Sequence, residues 1–343
     1  MARKTRARAV PAPQPSRRLH EIVEAFPRLT VAVLADLVAD EFVFGEISRV
    51  SREAPVLILK HRDRMVVPGG GANAIYNLAD LGVNVLPVGV VGDDEAGKLL
   101  LQRFRQKHIP LTGILKLKGF TTTTKTRILA GHTHSSRQQV VRVDHEPDAA
   151  LAGSSLRELA ENTRRYVEAS DALLISDYGY GAAAPDVWNA VRGAGVDIPV
   201  TVDSRYRLLA FNGVSAATPN EPEVEDVLRV RIGHSDERLQ EAGKTILDRM
   251  KLQSLVITRG RDGLVSFARR RPPVAIPIHG SDEVADVTGA GDTVIATYTA
   301  ALAAGADPEA AARIANVAGG IVVMKRGTAT VGHDELLAAV RSA

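Results

Sequence analysis

The chain has 343 residues and no cysteine, which excludes disulfides and thiolate metal sites and fits a reducing cytoplasm. Hydrophobic residues make up 45% and aromatics only 4%, a balance rich in Ala, Val, Leu and Gly that suits helices packed on a parallel sheet in one large α/β unit. No apolar run approaches the ~20 residues of a membrane span, and the net charge of +3 is carried by a tail whose Arg3, Lys4, Arg6, Arg8, Arg17 and Arg18 stand without an acid.

Pro11, Pro13 and Pro15 extend that tail, and residues 1–28 read as a solvated, disordered extension. A nucleic-acid role for it is open but not expected. Thr30 to Ala35 predicts a buried first strand with Asp36 at its carboxyl end. Residues 41–62 hold β-favouring stretches broken by Gly45 and Pro55, and read as a hairpin lid. Gly69 to Gly71 open a helix that ends at Gly82. Val85 to Gly89 is a second buried strand, and Glu95 to Lys107 a helix. Residues 114–145 contain further strands (TKTRILA, QQVVRVD), and the two β-rich inserts are expected to pair as one lid sheet. From residue 172, the strands ALLIS, PVTVD, SAATPN and SLVIT alternate with helices, which implies a parallel sheet covered on both faces. Two helices near 290–304 and 308–324, divided at Gly305 and Pro308, close the pattern.

The strongest chemical signal is Asp286-Val287-Thr288-Gly289-Ala290-Gly291-Asp292-Thr293. Its glycines permit a tight turn, and the helix that follows presents unpaired amides and the positive end of its dipole, a setting for a phosphoryl group. Asp292 is the carboxylate at that helix start, suited to take a proton from an attacking hydroxyl. A bare G-x-G-D would read as a helix cap. Pro68-Gly69-Gly70-Gly71-Ala72-Asn73 is a second glycine-rich helix opening, where Asn73 can both donate and accept. Asp36 ends a strand where open α/β sheets bind ligands. Asn220-Glu221-Pro222-Glu223 follows a strand, and by itself reads as an acidic surface turn. Thr258-Arg259-Gly260-Arg261-Asp262-Gly263 reads as a glycine turn. His132 and His134 hint at metal, but a solvated loop is the better reading. No Walker loop and no protein-kinase motif is present.

The full DVTGAGDT string, GG-x-x-N at Gly69–Asn73 and N-x-x-E at Asn220–Glu223 resemble the ribokinase-like (PfkB) carbohydrate kinases over residues 30–335. The resemblance implies a three-layer sandwich with a mostly parallel central sheet and a small β-sheet lid. It implies ATP and magnesium as cofactors, and potassium dependence from Asn316 to Gly327. Asp292 would be the base, with Gly289, Ala290 and Gly291 as the anion hole. Asp36, Gly69, Gly70, Asn73 and Asp177 would hold the sugar. Asn220 and Glu223 would organise magnesium through water, and Thr258, Gly260 and Gly263 would border the nucleotide. Ala35 stands where the family has glycine. Residues 47–55, 123–127, 138–144 and 176–181 are similar to the heptose 7-phosphate kinase branch, which phosphorylates C1, except that Tyr180 replaces a lysine. Lys125 and Arg127, two apart on a strand, then become cations for the sugar's phosphate, with Arg142, Arg49 and Arg52 as further ones. Pairing into a homodimer through the lid, and the stand-alone kinase form, are also implied. The competing readings are another kinase of the same family, acting on ribose, a fructose phosphate or a nucleoside, and a catalytically silent sugar or nucleotide sensor, which predicts ligand affinity without turnover.

Overall fold

The computed structural model describes residues 15–131, 137–193, 195–280, 286–325 and 327–342; Arg3 to Arg8, His132 and His134 lie outside them. Helix α1 (Pro15–Glu24) corrects the expected tail over its last part. Leu19, Ile22 and Val23 recur at helical spacing and are buried with Phe26. This apolar stripe packs against the last helix, His333–Ser342.

Strand β1 (Thr30–Ala35) runs straight into two long lid strands, β2 (Leu37–Val50) and β3 (Leu57–Gly70). Helix α2 (Gly71–Asp80), strand β4 (Asn84–Gly92), helix α3 (Glu95–Gln106) and strand β5 (Ile114–Leu117) follow. Two more lid strands, β6 (Thr124–Gly131) and β7 (Gln138–His145), precede α4 (Gly153–Val167) and β8 (Ala172–Asp177). Then come α5 (Pro185–Arg192), β9 (Val200–Ser204), β10 (Ala216–Ala217), α6 (Glu221–Leu228) and α7 (Asp236–Arg249). The last part holds β11 (Ser254–Thr258), β12 (Leu264–Ala268), β13 (Val274–Ile276), α8 (Ala290–Ala303), α9 (Pro308–Val323) and the final helix, α10.

The main sheet has nine strands in the order β13-β12-β11-β10-β9-β8-β1-β4-β5, parallel except at the β11-β12-β13 edge. Side chains alternate along β1: Val31, Val33 and Ala35 enter one core, while Ala32 and Leu34 enter the other. A strand apolar on both faces needs helices on both, hence three layers. The chain winds outward from β1 through β4 and returns at β8 on β1's other side. The crevice at this reversal, beyond the carboxyl ends of β1 and β8, is where doubly wound sheets bind ligands.

The four lid strands form a second sheet, β3-β2-β6-β7. As expected from the sequence, the two inserts pair, through the parallel β2–β6 contact. The expected lid boundary at residue 114 is corrected: β5 pairs with β4 at the edge of the main sheet. It is the short strand closing a β4–α3–β5 crossover, and the second lid segment starts at Thr124.

Candidate active site

Gly289 (φ 80°) turns the chain into α8. A Cβ there would fall 2.6 Å from Asn73 Nδ2, so glycine is required for the two loops to meet. Asp286 fastens the loop by accepting from the amides of Thr288 at 2.9 Å and Gly327 at 3.1 Å. Asp292 then lies in the first turn of α8, 4% exposed.

Two side chains hold the Asp292 carboxylate. Asn73 Nδ2 donates to Oδ2 at 3.0 Å, and the Tyr178 hydroxyl donates to Oδ1 at 2.8 Å. The orientation of Asn73 is itself determined. Thr293 donates to Asn77 Oδ1 at 2.9 Å, and Asn77 Nδ2 donates to the Asn73 carbonyl at 2.9 Å and to Asn73 Oδ1 at 3.2 Å. Asn73 thus turns its amide nitrogen toward Asp292. Burial pushes the Asp292 pKa up to about 7, against the pull of Asn73 and Tyr178; Asp40 raises it further and Lys125 lowers it. A carboxylate poised near neutrality suits a general base.

Asp36 does not face the acceptor space. Its Oδ2 accepts from the amides of Tyr178 (3.0 Å) and Tyr180 (2.9 Å), and its Oδ1 from those of Ala182 (2.8 Å) and Ala183 (3.1 Å). The expected sugar contact is therefore corrected: a carboxylate has about four lone-pair positions, and the loop after β8 occupies them. Asp177 is corrected likewise. It is 1% exposed, and it is taken up by Arg207, Ser204 and the amide of Gly179. The Ala35 methyl is buried in the core, and a Cβ on Gly71 would meet it at 2.7 Å; it does not crowd the acceptor.

Asp40, four residues after Asp36 and the second acid of the D-x-x-x-D spacing, is the carboxylate that faces Asp292 and raises its pKa. A Cβ on Gly69 would lie 2.5 Å from its carboxyl carbon, which explains that glycine. Gly70, at φ 49°, sits beneath the Tyr178 ring. Arg127 pairs with Asp40 at 2.7 Å in a largely buried contact, so its charge is already matched. Arg142 pairs with Asp144 at 2.5 Å on the exposed face of the lid. Arg49 and Arg52 are exposed at the hairpin tip. Neither Arg127 nor Arg142 is a free phosphate anchor in this conformation. Lys125 differs. It is 7% exposed, forms no ion pair among the described residues, and lies 5.3 Å and 5.9 Å from the ring centres of Tyr178 and Tyr180. Burial lowers its pKa.

Asn220 and Glu223 form a reciprocal capping box at the start of α6, with both bonds at 2.9 Å. Burial raises the Glu223 pKa. Asp203, at the end of β9, is pushed well above the usual range by burial and then by Glu223, Asp292 and Asp177. These oxygen donors fit a hard cation held through water, which would relieve their repulsion; among the described residues no three ligands converge tightly enough to hold a metal directly. Thr258, Gly260 and Gly263 line a cavity of ≈140 Å³ with Val287, Val294 and Val323. Ala290 and Gly291 close the same cavity, so a flat apolar group seated there ends at the start of α8.

A profile described as pfkB family carbohydrate kinase matches residues 38–334. The chain belongs to this family. The family is one of carbohydrate kinases. The "Bifunctional protein HldE" of Pelobacter propionicus is 36% identical over 325 residues, covering 93% of this chain and 65% of that protein; the chain spans about two thirds of such relatives. A ribokinase of Arabidopsis thaliana complexed with ribose and ATP superposes with a TM-score of 0.70 at 18% identity, over 91% of this chain and 98% of that one. Phosphofructokinase-2 of Escherichia coli in complex with potassium gives 0.71 at 18% identity, over 92% and 98%. Both solved structures share the ribokinase-like fold. No helix among the described residues is long and apolar enough to cross a membrane.

Proposed function

We propose that this kinase phosphorylates the C1 hydroxyl of D-glycero-D-manno-heptose 7-phosphate, with Asp292 accepting the hydroxyl proton. The observation that carries the chemistry is the Asp292 carboxylate, aimed by two donors and poised near pH 7. The HldE relative and the desolvated cation Lys125, which has no ion-pair partner among the described residues, support an acceptor that already bears a phosphate. Asn73 and Asp40 would bind sugar hydroxyls beside the base.

ATP supplies the phosphoryl group, and its base fits the cavity between Thr258 and Val323. Magnesium, held through water by Asn220 and Glu223, would offset phosphate charge. The glycine turn and the α8 dipole would stabilise the phosphoryl group in transit. The lid would exclude water, so that positioning more than covalent chemistry carries the rate. Potassium dependence belongs to the proposal, supported by the phosphofructokinase-2 neighbour's potassium complex. So does a homodimer through the lid, supported by exposed Val140, Val141, Val143 and Leu57 on that sheet. A cytoplasmic location accords with the missing cysteines.

The test is ADP release with ATP and magnesium, comparing heptose 7-phosphate with fructose 6-phosphate, ribose and adenosine. Strong preference for heptose 7-phosphate is expected. Preference for another acceptor keeps the kinase and removes the heptose assignment.

A further inference from the structure

Tyr178 is absent from the expected site residues, yet its side chain meets Asp292, Lys125 and the Gly70 turn. Its hydroxyl donates to Asp292 Oδ1 at 2.8 Å. One face of its ring lies 5.3 Å from Lys125 Nζ. Its amide is bound by Asp36 at 3.0 Å, which anchors the residue at its base. Gly70 passes close enough that a Cβ would stand 3.3 Å from the ring, so no side chain wedges beneath it.

We propose that Tyr178 is a positioning residue: it aims Asp292, keeps it ready to accept a proton, and seats Lys125 beside it. The inference rests on the reading of Asp292 as the base. A phenol donating to a carboxylate favours the ionised form. Burial and the neighbouring Asp292 push the Tyr178 pKa well above its ordinary range, so the hydroxyl stays a donor at any working pH. The charged groups facing this pair are Asp40 from β2, Lys125 from β6, Asp203 at the end of β9 and Glu223 from α6. Lys125 is the cation among them, and aromatic faces in place of an acid leave its charge available to a substrate anion. This also gives Tyr180 a purpose. Its ring is the second face on Lys125, and its hydroxyl reaches Glu146 at 3.1 Å. A lysine at position 180 would set a like charge beside Lys125.

The test reads Asp292 directly and then through catalysis. Protein labelled with aspartate carrying 13C at the carboxyl is titrated by NMR, and the resonance missing from Asp292→Asn identifies the base. The wild-type midpoint is expected near 7. Tyr178→Phe keeps the ring and removes the donor, and is expected to raise the midpoint by about one pH unit, a tenfold loss of ionised base below it. The acidic limb of kcat/KM should move with it, while the KM for ATP stays unchanged. Replacing the tyrosines by 3-fluorotyrosine preserves shape, strengthens the donor and should lower the midpoint, which keeps the test open if the Phe variant folds poorly. Tyr180→Phe should leave the Asp292 midpoint in place. An unmoved midpoint in both Tyr178→Phe and the fluorinated protein, with Asp292→Asn inactive, overturns the role of Tyr178 and leaves the base standing. Full turnover by Asp292→Asn removes the base, and the proposal with it.

Discussion

Asp36 and Asp292 are both buried aspartates at the carboxyl ends of the sheet, 1% and 4% exposed, yet their partners differ in number and kind. Asp36 receives four main-chain amides from one loop, and every lone-pair position is spent on structure. Asp292 receives two side-chain donors, so about two positions stay open to a substrate hydroxyl. Burial raises the pKa of both. In Asp36 the amides of Tyr180, Ala183 and Tyr178 pull against it. What separates an anchor from a base here is the number and kind of donors, not depth.

The largest expected effect is on turnover. Asp292→Asn should lower kcat by roughly 10²–10⁴-fold, the scale of general-base catalysis, while ATP binding measured by calorimetry stays near wild type. Near-normal turnover would erase the distinction between the two aspartates. Asp36→Asn should act on stability instead. It points an amide group at backbone donors and should cost about 2–4 kcal/mol in urea denaturation. Its folded fraction should lose far less activity than Asp292→Asn does.

Lys125→Met tests the cation. The KM for the phosphorylated acceptor should rise roughly 10–100-fold with the KM for ATP unchanged, as for a lost charge-assisted contact. A pH series sharpens the comparison further. The Asp292 pKa is raised from 3.8 to about 7 in the folded protein. The folded state therefore keeps a proton that the unfolded chain releases. The stability this contributes is full below pH ~4 and lost as pH rises through ~7. Asp292→Asn should consequently gain on wild type between those limits, by about 2 kcal/mol at pH 8, allowing for relaxation of the site. An Asn variant that falls behind as pH rises would mean that Asp292 is stabilised as an anion, against the effect of its burial. The smallest effect belongs to Glu223→Gln. Keeping the capping box geometry, it should cost at most about 1 kcal/mol of stability while raising the magnesium concentration needed for half-maximal rate.

Much of the fold was legible in order and type. β1, α2, α3, β8, β9, β11, α8 and α9 carry long apolar runs or helical spacing bounded by glycine and proline, so local pattern was enough. Helix α1 was missed because Pro15 and the flanking arginines mask the Leu19, Ile22 and Val23 stripe. Strand β5 was assigned to the lid because four residues carry no mark of which sheet they join. In the site, Asp292, Gly289 and Asn73 were readable because each stands in a glycine-rich helix opening. Asp36 and Asp177 were misjudged, since a strand-end carboxylate looks the same whether its partners are substrate hydroxyls or main-chain amides.

The sequence by itself determined the family, the sheet with its pairing inserts, and the loops that hold Asp292 and Asn73, because these are encoded in contiguous residues. Only the tertiary structure decided which acids are spent on main-chain amides, and that among the described residues Arg127 has an ion-pair partner while Lys125 has none. The Tyr178–Asp292 bond joins residues 114 positions apart, and Asn73 meets Asp292 across 219. Such contacts depend on how β1, β8 and α8 are brought to one edge, and no local spacing records them.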